Sequence, residues 1–222
     1  MTTPTVEAYL EIIYMMAVED QAVIGARLAE SLHVSRPTVT ATLKRMARDG
    51  LIKLDEHKAI TMTPKGQAVA ERLQHRHRLV ERWLTDVLGL DWAKCDAEAH
   101  RLEHAMSEEV AALLNQHLNF PTTCPHGNPI PGNAKSMAPA PKTFQLSGAK
   151  EGDKLLVTRI SEYAENVSEM LSYLGRQGLM PNARIAVEEI APLRGPLTLR
   201  VGARTVAISR EIASYVWVKK VE

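Results

Sequence analysis

Between Ile24 and Thr63 the chain reads as helix, break, helix and two short strands, an order that leaves few folds open. Ile24 to Leu32 is a short helix, and His33-Val34 interrupts it. Ser35 suits an N-cap for a second helix, Arg36 to Met46, and Pro37 is tolerated there because the earliest N–H groups have no intrahelical partner. Val39, Leu43 and Met46 form its apolar stripe. The other side carries Thr38, Thr40, Ala41, Lys44, Arg45 and Arg48. Asp49-Gly50 closes the helix, and the strands Leu51–Leu54 and Ala59–Thr63 flank a polar tip, Asp55-Glu56-His57-Lys58. This is the pattern of a winged helix-turn-helix, whose second helix enters the major groove of double-stranded DNA. Ser35, Pro37, Thr38 and Thr40 are small enough to approach base edges. Arg36, Lys44 and Arg48 suit phosphates, and Arg27 joins the DNA-binding set. The alternative use of such a head is protein contact.

The flanks extend the fold class to mainly α with a small β part. Pro4 to Val18 is helical, with Val6, Leu10, Ile13 and Ala17 on one side. Pro64-Lys65-Gly66 starts a long helix from Gln67 to about Leu84, and the helical pattern continues from Thr85 to about Leu118 with a turn at Gly89-Leu90-Asp91. Asn119 to Pro141 is loop, being rich in Pro and Gly. Leu155–Ile160, Arg184–Ile190, Leu197–Val201 and Thr205–Ile208 read as strands, interrupted by a helix from Val167 to Gln177, and suggest a small antiparallel barrel. The expected organisation is a DNA-binding head over 1–72, a helical metal-binding and dimerisation domain over 73–133, a Pro-rich linker over 134–147 and a β domain over 148–222.

Charge divides along the same lines. From Val23 to Gly66 eight Lys/Arg face four Asp/Glu, whereas from Thr85 to Phe120 two face seven, so a basic module precedes an acidic one. Such a pair fits a polyanion-binding head joined to a cation-binding body. Two cysteines, Cys95 and Cys124, are too few for a disulfide framework, and the start lacks a basic and apolar leader. No apolar run reaches the roughly 18 residues of a membrane span. The sequence therefore points to the cytoplasm, with reduced thiols and no membrane partner.

Six of the eight histidines fall between His75 and His126. In His100-Arg101-Leu102-Glu103-His104, helical spacing puts two imidazoles and a carboxylate on one face, and Asp96 lies one turn earlier. They need a further ligand, for which Glu11 is the candidate: a donor on the first helix would tie head to body. A second constellation is His77 and Glu81, spaced i,i+4, with the loop pair Cys124 and His126. Mixed carboxylate and imidazole donors suit divalent transition metals, and a thiolate shifts preference toward Zn²⁺ or Fe²⁺. The bland alternative is a set of surface histidines beside acids.

These residues, with Val6 to Tyr14, Ser35 to Gly50, His77 to Gly89, Glu98 to Val110 and Gly127-Asn128-Pro129-Ile130-Pro131-Gly132, resemble the diphtheria toxin repressor family of metalloregulators over nearly the whole length. The resemblance implies a winged helix, a helical dimerisation domain and a C-terminal SH3-like domain of the FeoA type. It also implies a homodimer that, metal-loaded, binds palindromic operators and represses metal-uptake genes. Glu11, His100, Glu103 and His104 correspond to the family's primary site. His100 stands where the iron branch has Cys and the manganese branch Glu, and Ala8 stands where those branches have Met and Asp. His77, Glu81 and Asp96 correspond to the ancillary site, Cys124 and His126 to extra loop ligands, and Glu162, with Glu165 more weakly, to residues by which the C-terminal domain caps it.

With no sulfur in the primary set the expected effector is Mn²⁺. Fe²⁺ is the alternative, and Zn²⁺ and Co²⁺ are surrogates. Dimer contacts are expected among Trp83–Leu90 and Leu102–Leu114. Two rivals stand beside this reading. His100-x-x-Glu103-His104 also satisfies the inverted zinc-protease spacing, although a non-enzyme is expected. A winged-helix regulator sensing an organic ligand would need the metal only structurally.

Overall fold

The structure, a computed structural model, describes residues 3–19, 21–133, 143–161 and 167–221. Thr3 starts helix α1 (Pro4–Val18): its hydroxyl accepts from the Val6 amide, and Pro4 fills a first-turn position. Val6, Leu10, Ile13 and Met16 turn inward. Helices α2 (Gly25–Ser31) and α3 (Arg36–Arg48) complete the head, and Leu28, Val39, Leu43 and Met46 close its core. Ser35 caps α3 by accepting from the Thr38 amide. The wing is an antiparallel pair, β1 (Ile52–Leu54) with β2 (Ile60–Met62), Ile52 opposite Met62.

Helix α4 (Pro64–Arg82) runs from the head into the middle of the molecule. Its first turn presses on the head so closely that a Cβ on Gly66 would lie 2.0 Å from the Leu51 carbonyl oxygen. A five-residue π turn, Trp83–Val87, follows. Helix α5 (Cys95–Leu102) then tightens into a 3₁₀ turn, Glu103–Ala105, and α6 (Glu108–His117) starts anew. The sequence pattern suggested continuous helix across that point. Met106 and Ser107 are instead extended, and the Ser107 hydroxyl accepts from the Val110 amide, so a cap outweighs continued helix.

The C-terminal part is an antiparallel sheet of six strands in the order β3-β8-β4-β5-β6-β7. These are β3 (Phe144–Gln145), β4 (Lys154–Ile160), β5 (Arg184–Ile190), β6 (Leu197–Val201), β7 (Arg204–Ile208) and β8 (Val216–Lys220). Helices α7 (Val167–Gln177) and α8 (Arg210–Ser214) lie between them in the chain. The sequence reading lacked β3, α8 and β8 and counted Phe144–Gln145 with the linker, yet Phe144 pairs with Val218. Leu155, Val157, Leu171, Leu174, Leu197 and Leu199 form its core, which Ala93 from the middle segment also enters.

Further contacts dock this domain besides Ala93. The loop after α6 packs on β4 at Gly127 (φ +86°), where a Cβ would meet the Thr158 carbonyl oxygen at 2.3 Å. Glu19, at the end of α1, pairs with Arg159 of β4 and accepts from the Trp217 indole at 2.8 Å. The Arg159 guanidinium lies 4.2 Å over the Trp217 ring centre.

Candidate metal centre

The buried face of α4 carries a polar row among its apolar residues Leu73, Leu79 and Val80. Gln74, His77, Arg78 and Glu81 are all at most 3% exposed, and their spacing puts them in one row along the helix. A buried charge or amide must find partners or pay for lost hydration. Three neighbours supply them: α1, the α5–3₁₀ segment and the loop over 121–132. Arg78 and Arg82 donate to the carbonyls of Pro129 and Thr123, and the His75 ring nitrogen meets that of Pro131, so α4 grips this loop and presents His126 inward.

Glu11, His77, His100 and Glu103 converge, with one donor atom from each within 4.8 Å of the others. His77 Nδ1 lies 2.7 Å from Glu103 Oε2, and His100 Nδ1 lies 3.7 Å from Glu11 Oε1 and 3.5 Å from Glu103 Oε1. Gln74 Nε2 donates to Glu11 Oε1 at 3.2 Å. His77 also reaches the other way: its Nε2 lies 3.4 Å from Asp96 Oδ1 and 3.7 Å from Glu81 Oε1. Burial works against charge on His77, but the hydrogen bonds to Asp96, Glu103 and Glu81, with the Glu81 charge, outweigh it and push its pKa well above the usual histidine value.

His104 stands at the edge of this group. The switch from α to 3₁₀ winding between Leu102 and Glu103 turns successive side chains by about 120° instead of about 100°. His104 Nδ1 then meets Glu7 at 3.1 Å, while Nε2 stays 3.4 Å from Glu103 Oε1. Glu7 was not expected from the sequence. Its i,i+4 relation to Glu11 on α1 was the available signal.

A further cluster joins Glu81, Cys95 and His126, all fully buried. His126 Nδ1 lies 2.9 Å from Glu81 Oε1, and its Nε2 donates to the Trp92 carbonyl, the arrangement that orients a ligating imidazole. Cys95 Sγ is 3.9 Å from Glu81 Oε1, and Cys124 Sγ is 3.9 Å from His126 Nδ1. Cys95 was missed because it follows a turn and has no periodic partner in the sequence. Glu162 and Glu165 lie outside the described residues.

These donors fit a divalent cation. Glu103 Oε1 is buried without a hydrogen bond among the described residues, although two imidazole nitrogens stand 3.4 and 3.5 Å away. Such spacing suits groups arrayed about a common centre better than groups bonded to each other. Carboxylates and imidazoles together suit ions such as Mn²⁺, Fe²⁺ and Zn²⁺.

On the head, Ser35, Arg36, Pro37, Thr38, Thr40, Lys44 and Arg48 are exposed on one side of α3. Arg27 is half-buried and donates to Gln21.

Three family profiles match the chain: the iron dependent repressor N-terminal DNA binding domain over 1–60, the iron dependent repressor metal binding and dimerisation domain over 63–132, and the FeoA domain over 144–220. The iron-dependent repressor IdeR of Mycobacterium leprae is 38% identical over 225 residues, covering 98% of this chain and 97% of its own. The chain belongs to the diphtheria toxin repressor family. The diphtheria toxin repressor of Corynebacterium diphtheriae is 34% identical over 217 residues, 94% of each chain. A solved manganese-dependent transcriptional repressor in complex with manganese superposes with TM-score 0.86 at 32% identity, over 97% of this chain and all of its own. The manganese regulator SloR follows at 0.80 and 28%, over 99% and 100%. The chain is thus a metal-dependent transcriptional repressor with a winged-helix head, a helical dimerisation domain and an SH3-like FeoA domain. These relatives are transcriptional repressors, which are not enzymes. Among the described residues, no helix is long and apolar enough to cross a membrane.

Proposed function

We propose that the protein is a Mn²⁺-activated repressor that binds palindromic operator DNA as a homodimer and controls metal-uptake genes. The observation that carries this reading is Glu11, on the head's first helix, meeting His77, His100 and Glu103 of the middle segment. Two carboxylates and two imidazoles without sulfur suit Mn²⁺. A bound ion would neutralise the Glu11 and Glu103 carboxylates where α1 meets the α5–3₁₀ segment, tying head to body. The chain's own residues do the rest. Glu103 holds His77, Gln74 holds Glu11, and Glu81, Asp96, Cys95, Cys124 and His126 form an ancillary region behind His77. Once the heads are fixed, Ser35, Pro37, Thr38 and Thr40 face base edges while Arg27, Arg36, Lys44 and Arg48 serve the backbone. Val87, Leu88, Leu102, Val110 and Leu113, each at least 40% exposed, offer the apolar face for a second copy.

The identity to an iron-dependent mycobacterial repressor supports a second reading, Fe²⁺ as effector. The test is selection from a pool of random DNA duplexes at buffered free Mn²⁺, Fe²⁺ or Zn²⁺. Mn²⁺ should enrich an inverted repeat at physiological free concentrations, with no enrichment under chelation. Enrichment by Fe²⁺ at its own physiological concentration, but not by Mn²⁺, selects the iron reading. Enrichment that survives chelation defeats both.

A further inference from the structure

Gln74 lies one turn before His77 on the buried face of α4 and is 1% exposed. Its amide has two ends with different fates. Nε2 donates to Glu11 Oε1 at 3.2 Å. Oε1 is buried and, among the described residues, has no hydrogen-bond partner. The reverse orientation would set the amide oxygen against the Glu11 carboxylate, so the hydrogen bond fixes which end is which. A buried amide oxygen without a donor is destabilising, and a folded protein keeps such an atom for a reason. Gln74 also lines a cavity of about 380 Å³ together with Glu11, His77, Asp96 and His100. Gln74 thus borders the same cavity as Glu11, His77 and His100 of the metal cluster. Ala8, one turn before Glu11 on α1, brings no donor to that space.

We infer that Gln74 is a metal-binding residue of this site: its amide oxygen is a neutral oxygen ligand, and its amide nitrogen holds Glu11 in place. The inference rests on the reading that Glu11, His77, His100 and Glu103 hold a divalent ion. It adds a fifth donor, which matters for selectivity. Mn²⁺ takes oxygen-rich sets of high coordination number, whereas Zn²⁺ is content with four ligands and prefers nitrogen and sulfur. An amide oxygen stabilises the first more than the second without adding charge to a site that already has two carboxylates.

The test is equilibrium binding of Mn²⁺ and of Zn²⁺ to the full-length metal-free protein, for wild type, Gln74→Met, Gln74→Glu and Glu103→Ala. Met keeps the length and removes both polar ends. Glu restores an oxygen ligand but cannot donate to Glu11. If Gln74 is a ligand, Q74M weakens Mn²⁺ binding by about 10- to 100-fold. Zn²⁺ binding changes by less than about threefold, and Q74E binds Mn²⁺ at least as tightly as wild type. Q74M with wild-type Mn²⁺ affinity overturns the inference while leaving the site itself intact, provided E103A has lost binding. Q74E as weak as Q74M also overturns it, since that is the mark of a residue that only donates to Glu11. Should Q74M not fold, Q74E alone decides, by Mn²⁺ affinity at or above wild type or tenfold or more below it. Wild-type protein that binds no Mn²⁺ sinks the inference together with the reading beneath it.

Discussion

His77 is held between carboxylates on both ring nitrogens, Glu103 at Nδ1 and Asp96 and Glu81 at Nε2. Without metal, its raised pKa makes the imidazolium the positive partner of these acids. Because the folded pKa lies above the unfolded one of about 6.5, this contribution is fully present below that value and fades as pH rises through the folded pKa. A metal ion takes the place of that proton. Mn²⁺ affinity should therefore fall about tenfold per pH unit below the His77 pKa, with one proton released per ion from this residue. Calorimetry in buffers of different ionisation heat checks this, and a flat profile across the histidine range would contradict it. Glu103→Ala removes the acid shared by His77, His100 and His104. The expected result is loss of at least about 100-fold in Mn²⁺ affinity and of metal-dependent DNA retention, with the circular dichroism spectrum preserved. Helical spacing alone made His100 and Glu103 legible. It could not show that His77 turns toward them, because that depends on how α4 rotates against α1 and α5. Glu7 and Gln74 carried readable signals, at i,i+4 from Glu11 and i,i+3 from His77.

At the level of elements, the head was the most legible part because its caps, stripe and wing tip are local features. Ser35, Pro37 and the Val39–Leu43–Met46 stripe each specify α3 without help from distant residues. The 3₁₀ turn at Glu103–Ala105 was not legible, since it arises where α5 must end before the Ser107 cap. Strand β8 alternates buried Val216 and Val218 with Trp217, a pattern the sequence does contain, whereas two-residue β3 exists only because β8 pairs with it. The junction between head and α4 depends on Gly66. Gly66→Ala should destabilise the head by about 1–3 kcal/mol in urea unfolding, through overpacking against the Leu51 carbonyl. An unchanged midpoint would mean that α4 can shift away at no cost.

Across the whole molecule, the metal cluster and the FeoA domain both fasten on α1, at Glu11 and Glu19 respectively. The Glu19–Arg159–Trp217 contact lies 198 residues apart in the chain at its widest, so no local pattern announces it. Arg159→Ala leaves the largely buried Glu19 carboxylate, among the described residues, with the Trp217 indole as its side-chain partner. Amide hydrogen exchange at the end of α1 and in β8 should lose about 1–3 kcal/mol of protection. Unaltered exchange there would show that the Gly127 loop and the Trp92–Ala93 segment hold the domain without this contact. Metal and operator DNA must also strengthen each other's binding by the same factor if the ion sets the position of the heads. The claim beneath all of this is that one ion joins α1 to the middle helices. Anomalous diffraction at the manganese edge from Mn²⁺-loaded crystals tests it most directly. The account predicts a peak within about 2.0–2.6 Å of donors from Glu11, His77, His100 and Glu103 together. A manganese peak held by Glu81, Asp96 or His126, with none of its density reaching Glu11, would contradict it.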